Sequence, residues 1–165
     1  MKKIITLLVV LVMLGFQGCT GPEGPPGYTV EAEVFEVTAS FSNANNFSKI
    51  VILNPPILNS DMILVYHLFD VVNGEDLWRL MPQTVYLPEG ELDYNYDFTR
   101  NDINIFLNAD FDLNVLSANW TKDQIFRVVI IPGYFANSAN RINFSDYKTV
   151  VNEFHIKELD IKKKL

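Results

Sequence analysis

Asn73-Gly74 interrupts two β-rich runs, MILVYHLFDVV and EDLWRLM. Both residues accept positive φ, so the pair predicts a tight hairpin and commits the middle of the chain to antiparallel strands. TVYLPEGELDYNYDF repeats the device, with Pro88 and Gly90 framing the turn. In DINIFLNADF, Ile103, Ile105, Leu107 and Ala109 alternate with Asn104, Phe106, Asn108 and Asp110, the pattern of a half-buried strand. VEAEVFEVTASF alternates as well, but its phase slips. Val30, Ala32 and Val34 share one face, and Phe35, Val37, Ala39 and Phe41 continue one residue out of step. A β-bulge near Val34 and Phe35 accounts for that slip. KIVIL, closed by Asn54-Pro55-Pro56, reads as a short buried strand. IFRVVIIPG, stopped by Pro132-Gly133, reads as the last buried strand of the chain.

Only near the C-terminus does the period change. Tyr147, Val150, Val151 and Phe154 fall at helical spacing, with Ser145 as the expected N-cap and Asp146 suited to the positive helix start. Lys162 to Lys164 read as a solvated terminus, with contact to anionic headgroups as the alternative. The expected fold is therefore all-β, a mainly antiparallel β-sandwich of Ig-like type with one short C-terminal helix, spanning residues 29–165. A chain of 165 residues with 48% hydrophobic content can bury a core without disulfides or metals.

The residues that could carry chemistry are sparse. His67 and His155 are the only histidines, neither has a partner at metal-ligand spacing, and both read as structural. Gly-x-Ser-x-Gly, P-loop and Gly-x-Gly-x-x-Gly patterns are absent. Glu31 with Glu33, Asp93 with Asp97 and Asp110 with Asp112 are carboxylate pairs on one strand face, whereas acid–base hydrolysis needs two carboxyls opposed across a cleft. Asp93, Asn95 and Asp97 imitate the start of a calcium loop, but Phe98 stands where glycine is required and Asn104 where glutamate is required. The stretch reads instead as a strand burying Tyr94, Tyr96 and Phe98 on one face. The triplets beginning at Asn46, Asn119 and Asn143 match the glycosylation sequon and reflect an Asn-rich composition. No catalytic residue, metal or cofactor is expected.

The N-terminal region supplies an address. Lys2 and Lys3 precede an apolar run from Ile4 to Phe16 that is short for a membrane span and fits the core of a secretory leader. The run ends at Gly18-Cys19, and Cys19 is the only cysteine in the chain. Phe16-Gln17-Gly18-Cys19 is similar to a lipobox, in which cleavage precedes a cysteine whose thiol carries diacylglycerol. Residues 1–18 are then a lipoprotein signal peptide, and the mature 147 residues are held to a membrane through lipidated, palmitate-bearing Cys19. Residues 19–28 follow as a spacer, with Gly21, Gly24 and Gly27 every third residue among prolines. Two triplets are short for a triple helix, so the tract reads as a stiff polyproline II spacer, with trimerisation as the alternative.

A lipid cysteine, Gly-Pro-rich triplets and a following globular domain together resemble the collagen-like bacterial lipoproteins. The resemblance continues through VFEVTASF, ILVYHLFDVVNGEDLWRLMPQTVYL, YNYDFTRNDINIFLNADFDL and IFRVVIIPG. It implies a cell-envelope location, lipid-anchored to a membrane, with the outer membrane the expected one. It implies no established activity. The formal net charge is −7, becoming −9 once Lys2 and Lys3 are removed, which disfavours nucleic acid. The expected function is a non-enzymatic interaction module, monomeric, that binds an envelope protein, peptide or glycan. Its signature would be an exposed aromatic patch or an open sheet edge. The alternatives are an envelope hydrolase with a dispersed site, or a trimeric head on a collagen-like stalk.

Overall fold

The computed structural model describes residues 32–133, 142–157 and 161–164. The leader, Cys19 and the glycines of the spacer lie outside the described residues, as do Val30 and Glu31. The chain folds as an all-β sandwich. One sheet has the order β4-β3-β8-β1-β9, with β1 Glu33–Ala39, β3 Met62–Val72, β4 Glu75–Leu80, β8 Gln124–Ile131 and β9 Lys162–Lys164. The other has the order β2-β7-β6-β5, with β2 Ser48–Ile52, β5 Gln83–Leu87, β6 Gly90–Phe98 and β7 Asp102–Ala109. A one-turn helix, α1 (Ala118–Thr121), precedes β8, and α2 (Tyr147–Glu153) lies against the outer face of the five-stranded sheet.

The hairpins form as expected. Asn73 (φ 54°) and Gly74 (φ 83°) make the two-residue turn between Val72 and Glu75. Pro88 and Glu89 also connect Leu87 to Gly90 in two residues, but there the positive φ falls on Gly90 (146°). Between the sheets lies the main core, where Phe35, Val65, Phe126 and Val128 meet Leu92, Tyr94, Ile103 and Ile105. A second apolar layer joins the five-stranded sheet to α2, with Leu64, Tyr66, Val129 and Ile131 packed on Tyr147, Val150 and Phe154.

This second layer corrects the bulge expected near Val34 and Phe35. β1 pairs with β8 in unbroken register from Glu33 to Ala39. Phe35, Val37 and Ala39 enter the main core, while Ala32 and Val34 pack on the layer beneath α2. Apolar residues therefore follow one another because both faces are covered, not because the strand changes phase. The register shift falls instead between Leu68 and Asp70 in β3, opposite Trp78 and Leu77.

Four further expectations are corrected. KIVIL is not a buried strand: β2 is an edge, with Ile50 60% and Ile52 66% exposed, and only Val51 of that strand is buried. Asp146, not Ser145, caps α2, accepting hydrogen bonds from the Lys148 amide (3.1 Å) and Thr149 Oγ1 (2.6 Å). Lys162 to Lys164 are not a frayed tail, although Lys162 and Lys163 are exposed, and IFRVVIIPG is not the last strand, because β9 adds to β1 in parallel through Lys162 opposite Phe35 and Lys164 opposite Val37. That pairing covers the middle of the β1 edge, from Phe35 to Val37. Alongside the expected C-terminal helix, α1 and two 3-10 turns, Asn43–Asn45 and Leu113–Val115, lie in the connections.

Candidate functional site

The five-stranded sheet ends at β4, whose only strand neighbour among the described residues is β3. Its open edge faces α2 across a groove of about 760 Å³. Tyr147 fixes the helix there. Its ring packs edge-on to Tyr66 (centroids 5.0 Å apart) and lies 6.0 Å from Trp78. The Tyr66 hydroxyl donates to the Phe144 carbonyl at 2.6 Å, tying the segment before α2 to the sheet. Beneath this wall the Arg127 guanidinium stands 4.0 Å from the Trp78 ring centroid and donates from Nη2 to Glu36 Oε1 at 2.7 Å. Its charge is thus held by a carboxylate and two aromatic faces.

Trp78 is half-buried, and Leu77 is 39% exposed. Val71 and Val72 add exposed apolar surface at the end of the hairpin. The rim is acidic, with Glu75 and Asp76 on β4 and Asp146 at the start of α2. The hydrogen bond from Thr149, with those from the Lys148 and Thr149 amides, holds the Asp146 carboxyl below the usual carboxylate range. Lys148 reaches across to Glu75 at 3.5 Å, but both side chains are largely exposed, so the contact adds little stability.

The residues singled out by sequence do not assemble into a reactive centre. His67 is buried in the main core, stacked on Phe126 (centroids 5.0 Å) and close to Tyr94 (4.3 Å). Its Nε2 lies 3.0 Å from Gln124 Oε1. Gln83 neighbours the imidazole without closing a well-formed hydrogen bond, and Nδ1 and both Gln83 amide atoms are buried without a partner. Burial lowers the His67 pKa, the Arg79 charge adds to that, and the Gln124 contact opposes both. His155 is exposed just beyond α2.

Two polar residues of the calcium-like stretch, Asp93 and Asn95, have structural partners. Asp93 accepts from Thr84 Oγ1, and Asn95 Oδ1 accepts from the Tyr96 amide at 2.8 Å. The aromatic face of β6 is buried less completely than expected. Tyr94 is fully enclosed, Tyr96 is half-buried with its hydroxyl on the Ile63 carbonyl, and Phe98 is 43% exposed where the strand leaves the sheet. Asp110 accepts from the Glu91 amide, and Asp112 caps the following 3-10 turn through the Asn114 amide. Among the described residues, no group of three or more His, Cys, Asp or Glu is placed to hold a metal, and no helix is long and apolar enough to cross a membrane.

The groove itself is not legible in the sequence. EDLWRLM marks a strand, but nothing in it marks that strand as the sheet's edge or sets α2 beside it. No family model matches the chain, and no curated protein and no solved structure matches it.

Proposed function

We propose that the chain is an envelope lipoprotein of the collagen-like kind, anchored by a lipid on Cys19, whose β-sandwich is an interaction module that docks a protein partner in the β4–α2 groove. The observation that carries this reading is an open sheet edge faced by a helix, lined with exposed apolar and acidic residues. Its position supports display. β1 and β3 both run antiparallel to β8, so they start at the same end of the sheet, with Glu33 and Ile63 both level with Ile130. β3 ends at Val72, nine residues beyond Ile63 and about 30 Å along the strand, where the β3–β4 turn begins. The lipid would tether the Glu33 end and leave the hairpin end of the groove facing away from the membrane.

The test is photocrosslinking in living cells, with a benzophenone amino acid at Asp76 and, as control, at Asn108 on the outer face of the other sheet. Discrete adducts from position 76 that are absent from position 108 are expected. Adducts from neither position, or the same adducts from both, would overturn the reading.

A further inference from the structure

The consecutive residues Gly74, Glu75, Asp76, Leu77 and Trp78 all line the groove. Gly74 belongs to the turn, but the other four are successive residues of β4. Side chains of a strand alternate between its faces, so four in succession bordering one cavity place that cavity along the strand's edge. The groove therefore meets β4 along the side where, among the described residues, no further strand pairs with it. Four strand residues span about 13 Å, room for a short edge pairing. Across it α2 supplies Tyr147 and Val151 as an opposing wall. The charges select what can lie between. The rim carries three carboxylates, Glu75, Asp76 and Asp146, against one cation, Lys148, which already faces Glu75.

We propose that the groove takes an extended protein segment as an added strand on β4, presenting basic side chains to Asp76 and Asp146 and an apolar side chain to Trp78. The inference rests on the groove being the docking site and names the chemistry of its occupant. Backbone hydrogen bonds to the open edge supply affinity, and alternate side chains supply selectivity. Asp76 and Trp78 lie two apart on β4 and so share a face, which sets the partner's basic and apolar residues two apart as well. Desolvated apolar contact at Trp78 with a charge pair at the rim is the arrangement in which the rim charge chooses the partner.

The probe is the labelled peptide acetyl-Thr-Lys-Thr-Leu-Thr-Lys-Thr-amide. Its counterparts carry Glu for both Lys, or alternate N-methylated amides. The protein is the chain from residue 19 onward with Cys19→Ser; every residue of both described core layers lies at or after Ala32. We expect saturable binding, with amide shifts confined to Gly74–Leu80 and α2. The Glu peptide should bind at least about tenfold more weakly, a difference of about 1.4 kcal/mol, and N-methylation should abolish binding. Asp76→Lys should reverse the preference between the two peptides, while Asp97→Lys, on the other sheet, should leave it unchanged. Equal binding of both peptides, shifts elsewhere, or equal effects of the two charge reversals would overturn the proposal. Failure here with position-76 adducts in cells would reject the strand chemistry and keep the docking site. Binding here without those adducts would do the opposite.

Discussion

His67 sits where burial disfavours the charged imidazole. Burial to 2% exposure lowers its pKa, and the Arg79 charge acts in the same direction. The unfolded chain takes up that proton near about pH 6.5, the folded chain only at lower pH. The unfolded state then holds more protons in that window, so the His67 contribution is complete above about pH 7 and is lost as pH falls through 6.5. Urea unfolding at pH 7.5 and 5.5 should show lower stability at the acid end, and His67→Phe should flatten that difference. At Tyr94 the ring is wholly enclosed and the hydroxyl donates to the Trp120 carbonyl at 2.6 Å. Tyr94→Ala should cost about 3–5 kcal/mol by denaturant unfolding. Asp97→Ala, at an exposed position of the same strand, should cost less than about 0.5 kcal/mol. Millimolar calcium should leave the melting temperature unchanged, because a ligand stabilises only by binding the folded state.

Elements differ in how openly the sequence declares them. The four-stranded sheet buries one face, so Ile103, Ile105 and Leu107 alternate with polar residues and β7 is readable residue by residue. The central strands of the five-stranded sheet are covered on both faces. ILVY in β3 and VVII in β8 are therefore apolar throughout, and β1 imitates a phase slip. KIVIL carries the same composition at an exposed edge, because composition reports strand propensity and not rank within a sheet. Two local devices can be tested directly. Gly74 has open space around the position of a Cβ, so Gly74→Ala should cost about 1 kcal/mol through its positive φ alone, read from a thermal melt. Asp146→Ala removes the cap of α2 and should cost about 1 kcal/mol, with faster amide exchange in the first helical turn.

For the whole molecule, the proposed lipid anchoring predicts that Cys19→Ala moves the protein out of the membrane fraction, because acyl chains on that thiol would hold it there at about 0.8 kcal/mol per buried methylene. Cell fractionation reads this, and a cleaved variant that stays in the membrane pellet would refute it. Chains 19–165 and 29–165, both made without lipid, should sediment alike as monomers, because two triplets give a triple helix little cohesion. Strand content, the Asn73-Gly74 hairpin and the amphipathic stretch of α2 are local properties, fixed by backbone sterics and by the spacing of apolar residues, so the sequence by itself determined them. The folding of β9 onto β1, the edge position of β2 and β4, and the groove between β4 and α2 were decided only by tertiary structure. Each depends on which distant segments become neighbours, and backbone pairing energy is nearly blind to the side chains that periodicity reads.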